Sequence, residues 1–247
     1  MARTQAAKTS YDDPPQTLAR HPFYGLKLDK EQVALRDAIW DDKIEFVAVD
    51  AKAGSGKTLI SVATSVLMYR YHRIDSICYV VNAVGDMQGF LPGTISEKSS
   101  VYLEPLYQAL ISCNEFPEKV IRNESMTDKT GEGFITAITS TYLRGSNIGG
   151  SGKSVLIIDE AQNFTEFELR KVITRACEGT KVILIGHQLQ CDLRNPRQSG
   201  FASCMRHFKS KADPRFAFCE LYTCHRSLIA QVADEPWDED EFGKGGE

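Results

Sequence analysis

No apolar run in this chain of 247 residues approaches the ~20 needed to span a bilayer. The first ten residues, Met1 to Ser10, contain no apolar core of the kind that marks a secretory signal. A cytoplasmic protein without a membrane partner is therefore expected. No Cys-x-x-Cys occurs, and the cysteines at 78, 113, 177, 191, 204, 219 and 224 are odd in number and scattered, mostly through apolar segments. That pattern suits reduced, buried thiols rather than a disulfide framework, and it does not offer the paired ligands of a structural zinc site. Strong charge of one sign is also missing, since the net charge is only −4. The average conceals a division: from Asp234 to Glu247 seven carboxylates face one lysine, a sum of −6, which leaves the rest at +2. An end of this kind reads as a disordered solubilising tail that can also compete with nucleic acid for a basic face.

What is present is ordinary globular material, 42% hydrophobic and 25% charged, long enough to bury one substantial core. Residues 1 to 25 are polar, hold Asp12-Asp13-Pro14-Pro15 and keep no period, so an unstructured arm is expected before an ordered domain over 26 to 234. After Asp29 as a helix N-cap, Val33, Leu35, Ala38, Ile39 and Trp40 recur at near-helical spacing. Strand-like runs follow at 45 to 49, 77 to 81, 133 to 138, 154 to 159, 181 to 186 and 216 to 221. Helix-like stretches at 57 to 70, 102 to 112, 165 to 177 and 198 to 208, and one beginning near Ser227, lie among and after them. Continuous apolar strands alternating with helices predict an α/β fold of three layers around a mostly parallel sheet. Ligands of such sheets sit at the carboxyl ends of the strands.

At one such end Phe46-Val47-Ala48-Val49-Asp50 runs into Ala51-Lys52-Ala53-Gly54-Ser55-Gly56-Lys57-Thr58 and then into an amphipathic stretch. This is a phosphate-binding P-loop. Several backbone N–H groups must converge on phosphate oxygens, and residues as small as Ala53, Gly54, Ser55 and Gly56 let the backbone approach that closely. Lys57 would reach the β- and γ-phosphates of ATP, and the Thr58 hydroxyl would hold Mg²⁺. Ala51 stands where the motif normally has its first glycine, which a negative φ at the strand exit would allow. A second Gly-Lys-Ser, ending Asn147 to Ser154, is a decoy: a strand follows it, so no helix N-terminus faces a phosphate, and a hairpin-like connection is expected there.

Asp159-Glu160-Ala161-Gln162 closes the strand Val155 to Ile158. An aspartate there can hold Mg²⁺ through water, and the adjacent carboxylate can orient or deprotonate an attacking water. Alone, the pair also fits a helix cap; the strand before it and the P-loop elsewhere select the catalytic reading. After the next strand, Gln190 could contact both a phosphate oxygen and the lytic water, or simply belong to a polar loop. Arg226 follows the last strand and suits either a surface position or stabilisation of charge on a transferring phosphoryl group. Gln32 lies upstream of the first strand, where an amide could pair with an adenine edge.

Taken together these pieces resemble the PhoH family of P-loop ATPases, whose nucleotide domain is RecA-like and similar to that of superfamily 1 helicases. The resemblance spans Lys27 to Asp234 and is carried most specifically by Gly89-Phe90-Leu91-Pro92-Gly93, by Tyr102 to Leu110, by Ser140-Thr141-Tyr142-Leu143-Arg144-Gly145 and by Ser199-Gly200. It implies ATP binding by Gly54 to Thr58, Mg²⁺ at Thr58 and Asp159, water activation by Glu160, γ-phosphate sensing by Gln190 and charge stabilisation by Arg226. It also implies an RNA or DNA partner. Besides Ala51 the chain departs from the family pattern at Asn82-Ala83, Ser146 and His187, where charge is usual.

The sequence thus predicts Mg²⁺-dependent ATP hydrolysis by one RecA-like domain, coupled to single-stranded RNA or DNA in a homo-oligomer, such as a ring in which Arg226 completes a neighbour's site. The alternative is a nucleotide-gated nucleic-acid-binding module with negligible turnover, in which Arg144 and Tyr142 contact phosphate and base. A P-loop kinase is less well matched, because tandem acids suit water activation and no arginine-rich lid is visible.

Overall fold

The computed structural model describes residues 11–82, 95–122, 133–140, 148–149 and 152–233. Among the described residues six strands, β1 (Phe46–Ala51), β2 (Ser76–Val81), β3 (Ile135–Thr139), β4 (Ser154–Ile158), β5 (Thr180–Gly186) and β6 (Phe216–Leu221), form one sheet in the order β3-β2-β4-β5-β1-β6. Every pairing is parallel. The helices are α1 (Lys30–Trp40), α2 (Lys57–Arg70), α3 (Ile95–Ser112), α4 (Pro117–Val120), α5 (Glu166–Ile173), α6 (Phe201–Lys209) and α7 (Leu228–Ala233).

The apolar runs are continuous because both faces of the sheet are covered. β4 and β5 are buried along their whole length. Successive side chains still alternate in direction. Val47, Val49, Ile157, Ile183 and Ile185 pack in one core with Leu35, Ile39, Ile60 and Val66 of α1 and α2. Phe46, Ala48, Leu156, Ile158, Val182 and Leu184 pack in the other with Leu169, Val172 and Phe201 of α5 and α6. Three layers result, as the sequence predicts.

Four local expectations are corrected. Residues 11–25 are not a free arm: Leu18 and Phe23 are buried in the α1–α2 core, and Trp40 Nε1 donates to Pro15 O at 3.0 Å. Isolated apolar anchors with no period leave no sequence pattern to read. α5 ends at Ile173, not 177, because Arg175 and Cys177 exchange backbone hydrogen bonds with Ile148 at 2.9 Å. Those same bonds show that the segment before β4 is no hairpin. β3 and β4 flank β2 on opposite sides, so their connection crosses over the sheet. Finally, α3 begins at Ile95, ahead of the expected 102. All seven cysteines are free thiols, but only Cys78 and Cys113 are buried. Gly89 to Gly93, Tyr142, Arg144, Ser146 and the acidic tail lie outside the described residues.

At the opposite end of the sheet from the phosphate loop, Lys181 of β5 is buried and its ammonium donates to Ile39 O at 2.6 Å and Asp41 O at 2.7 Å, capping the carboxyl end of α1. Burial lowers its pKa from 10.5 to about 8. The folded protein therefore binds fewer protons than the unfolded chain between those values, and stability rises with pH through that window. Relative to Lys181→Met, the unfolding free energy of the wild type should gain about 3 kcal/mol between pH 8 and 10.5. Denaturant titrations across that range would show a flat difference if the lysine were not desolvated.

Candidate active site

β1 delivers the chain to the site at Asp50 and Ala51. Ala51 is the last strand residue, in register with Leu221, and its φ is not positive. The missing glycine is thus accommodated as the sequence reading required. Gly54 and Gly56 do need to be glycines, with φ of 74° and 82°. A Cβ on Gly54 would sit 2.5 Å from Arg226 Cγ, and one on Gly56 would sit 2.8 Å from Gln32 Nε2. α2 then starts at Lys57 with no side-chain cap, which leaves its first N–H groups for an external acceptor.

β4 brings the two acids to this loop. Asp159 is fully buried and its Oδ2 accepts from Thr58 Oγ1 at 2.7 Å and from Tyr79 OH at 2.6 Å, while Oδ1 accepts from Glu160 N at 2.8 Å. Burial raises the Asp159 pKa and the neighbouring Glu160 carboxylate adds to the effect, against the opposing pull of Tyr79, Lys57 and Thr58. Glu160 adopts a left-handed conformation, φ 49° and ψ 44°, that ends the strand. Its Oε1 lies 3.5 Å from Lys57 Nζ, and its Oε2 accepts from Gln162 Nε2. Gln162, itself buried, accepts His187 N at 3.0 Å through Oε1. One amide therefore links the β4 acid to the loop after β5.

That loop has its own partner on β1. Gln188 donates to Asp50 through N at 3.3 Å and through Nε2 at 2.6 Å, and His187 Nδ1 lies 3.9 Å from Asp50 Oδ1. Gln190 is on the exposed turn that follows, its N–H donating to His187 O at 3.2 Å. The amide beside Glu160 is that of Gln162. Gln32 does reach the loop, but its Nε2 donates to Ser55 O at 2.8 Å and its Oε1 accepts from Asp29 N at 3.2 Å. Its amide is engaged by protein at both ends. Arg226 lies with its stem against Gly54 of its own chain, where His225 N donates to Gly54 O at 2.9 Å.

Three site residues were not anticipated. Tyr79 is a phenol inside the aliphatic strand Ser-Ile-Cys-Tyr-Val-Val, and a buried phenol requires a partner, which was the available signal. Gln162 is the fourth residue of the acidic motif, to which no role was given. Asp50 immediately precedes the loop. Ser199-Gly200 turns out to serve packing: Gly200 N donates to Phe164 O at 2.8 Å, and a Cβ there would be 2.5 Å from the Glu166 backbone.

The residues suit a nucleotide with a divalent cation. The glycine cradle ends at the N-terminus of α2, which has no side-chain cap, the buried Ser55 hydroxyl in it has no hydrogen-bond partner, and Asp159 is a buried carboxylate whose hard oxygen donors lie beside a threonine hydroxyl. Such a donor set matches Mg²⁺.

An all-parallel α/β sheet with this loop between β1 and α2, and acids at the end of β4, defines a P-loop NTPase domain. A family model described as "PhoH-like protein" matches residues 27–235, and the chain belongs to that family. It is 30% identical over 196 residues to a PhoH-like protein of Mycobacterium tuberculosis strain H37Rv, covering 78% of this chain and 53% of that one. It is 31% identical over 192 residues to Protein PhoH of Escherichia coli K12, covering 76% and 51%. The chain thus spans about half the length of the curated relatives it matches. Among solved structures, the large terminase of a thermophilic bacteriophage is similar with a TM-score of 0.53 at 13% identity, covering 84% of this chain and 50% of that one. That likeness concerns the fold. Among the described residues no helix is long and apolar enough to cross a membrane.

Proposed function

We propose that the chain binds ATP with Mg²⁺ and hydrolyses it to ADP and phosphate. The observation that carries this reading is the contact of Thr58 with Asp159, 101 residues apart in sequence, directly below the N-terminus of α2. Gly54 to Lys57 hold the phosphates through main-chain N–H groups, and the Lys57 ammonium faces the β- and γ-oxygens. Thr58 and Asp159 hold the cation, which when bound offsets phosphate charge. Glu160 takes a proton from a water as its oxygen attacks the γ-phosphorus and the bond to the bridging oxygen breaks. Gln162 keeps the Glu160 carboxylate turned toward the loop. Arg226 faces the charge that spreads over the equatorial oxygens, and its place on its own chain's loop supports action within one subunit. Phosphate release from Mg²⁺-ATP tests the reading: turnover should vanish with EDTA and with Lys57→Ala, and release that persisted in both would refute it.

An RNA or DNA partner and an oligomer extend the same proposal. Support for the nucleic-acid partner is the +2 charge of the chain outside its acidic tail. Filter binding of single-stranded RNA over a salt series should show affinity falling as salt rises. Absence of any salt-dependent binding, with or without ATP, would remove this extension and leave the ATPase.

A further inference from the structure

We propose that the first turn of α1 is a bracket that sets Arg226 against the phosphate loop, with Glu31 and Asp29 as positioning residues. This rests on the catalytic reading of Arg226. After β6 ends at Leu221, residues 222 to 227 belong to no sheet or helix, so their backbone donors need other partners. The Glu31 carboxylate supplies two of them, Oε2 accepting from Tyr222 N at 2.8 Å and Thr223 N at 3.0 Å. Asp29 Oδ2 lies 2.8 Å from His225 Nε2, while its Oδ1 caps α1 by accepting from Gln32 N at 2.8 Å. Gln32 in turn donates to Ser55 O, and His225 N donates to Gly54 O.

These bonds close a triangle. α1 grips the loop through Gln32 and the arginine segment through Asp29 and Glu31, and the loop and that segment meet at Gly54 and His225. On the far side of Arg226, Gln231 Nε2 donates to Arg226 O at 2.9 Å. An exposed arginine has a long, freely rotating side chain, and a misplacement of about 1 Å costs on the order of 100-fold in rate. Fixing the backbone on both sides of it confines where the guanidinium can go. The capping box of α1, formed by Asp29 and Gln32, is thus also a joint between two parts of the active site.

Glu31 is partly exposed, so Glu31→Ala should fold. It is expected to lower kcat about tenfold with little change in the affinity for a non-hydrolysable ATP analogue, because the arginine acts late and the loop is intact. Glu31→Gln keeps one acceptor oxygen and should recover part of the loss. In the double variant Glu31→Ala/Arg226→Ala, turnover should match that of Arg226→Ala alone. Fully multiplicative losses, or an undiminished kcat in Glu31→Ala when Arg226→Ala is slow, would overturn the bracket. Should Arg226→Ala itself turn over normally, the catalytic reading of Arg226 fails, and amide exchange decides the bracket separately. Protection at Tyr222, Thr223 and His225 that is lost in Glu31→Ala supports it; amides unprotected in the wild type contradict it.

Discussion

Glu160→Gln is expected to bind ATP as the wild type does and to hydrolyse it about 100- to 10,000-fold more slowly. The substitution preserves shape and one carbonyl acceptor, so the bond from Gln162 Nε2 can persist and the loop is undisturbed. What it removes, on the proposed mechanism, is the group that accepts the proton of the attacking water. It also removes a negative charge 3.5 Å from Lys57, which if anything favours phosphate binding, since Lys57 no longer has a competing anion. Loss of kcat with unchanged or tighter analogue binding is therefore the signature. Equal losses in binding and turnover would mean that Glu160 supports the loop instead, and undiminished hydrolysis would take it out of the chemistry.

Arg226→Ala should reduce turnover about 1,000-fold, the scale of an arginine that stabilises phosphoryl charge in the transition state. The stem of Arg226 lies against Gly54, while on the proposed reading the phosphates are held by the main-chain N–H groups of the loop, so nucleotide affinity should change far less than kcat. Arg226→Lys should rescue little, since an ammonium cannot present a planar fork of donors to two equatorial oxygens. Single-turnover measurements on both variants separate this from an effect on product release. A loss below about tenfold would return Arg226 to the status of a surface residue resting on the loop.

What the sequence disclosed was local in kind. The run Val155 to Ile158 before Asp159, and the run Phe46 to Val49 before the glycine loop, state strand and site together, because a strand buried on both faces must be apolar throughout and its carboxyl end is where the chain turns toward a ligand. Ala51 could likewise be judged from its place at the strand exit. Contacts between distant segments left weaker traces. Leu18 and Phe23 fill the core next to α1 without any period, and Glu31 looks like an ordinary acidic residue in a first helical turn until the segment after β6 lies against it. Tyr79 was visible as a polar group in apolar surroundings, but only the sheet order, with β2 beside β4, shows that it meets Asp159, whereas Gln162 sits among polar neighbours and meets Glu160 within its own turn. Gln190 lies on the loop after β5, where the sequence places it, and the amide beside Glu160 comes from β4's own turn.

The central claim is that main-chain amides from Gly54 to Thr58 grip the phosphates of a nucleotide beneath Asp159 and Glu160. A crystal structure with Mg²⁺ and a non-hydrolysable ATP analogue tests it most directly. The account predicts phosphates in the glycine cradle, the cation between Thr58 and Asp159, and Glu160 within reach of a water in line with the γ-phosphorus. An analogue bound elsewhere, or a filled cradle with both acids turned away from it, would contradict it.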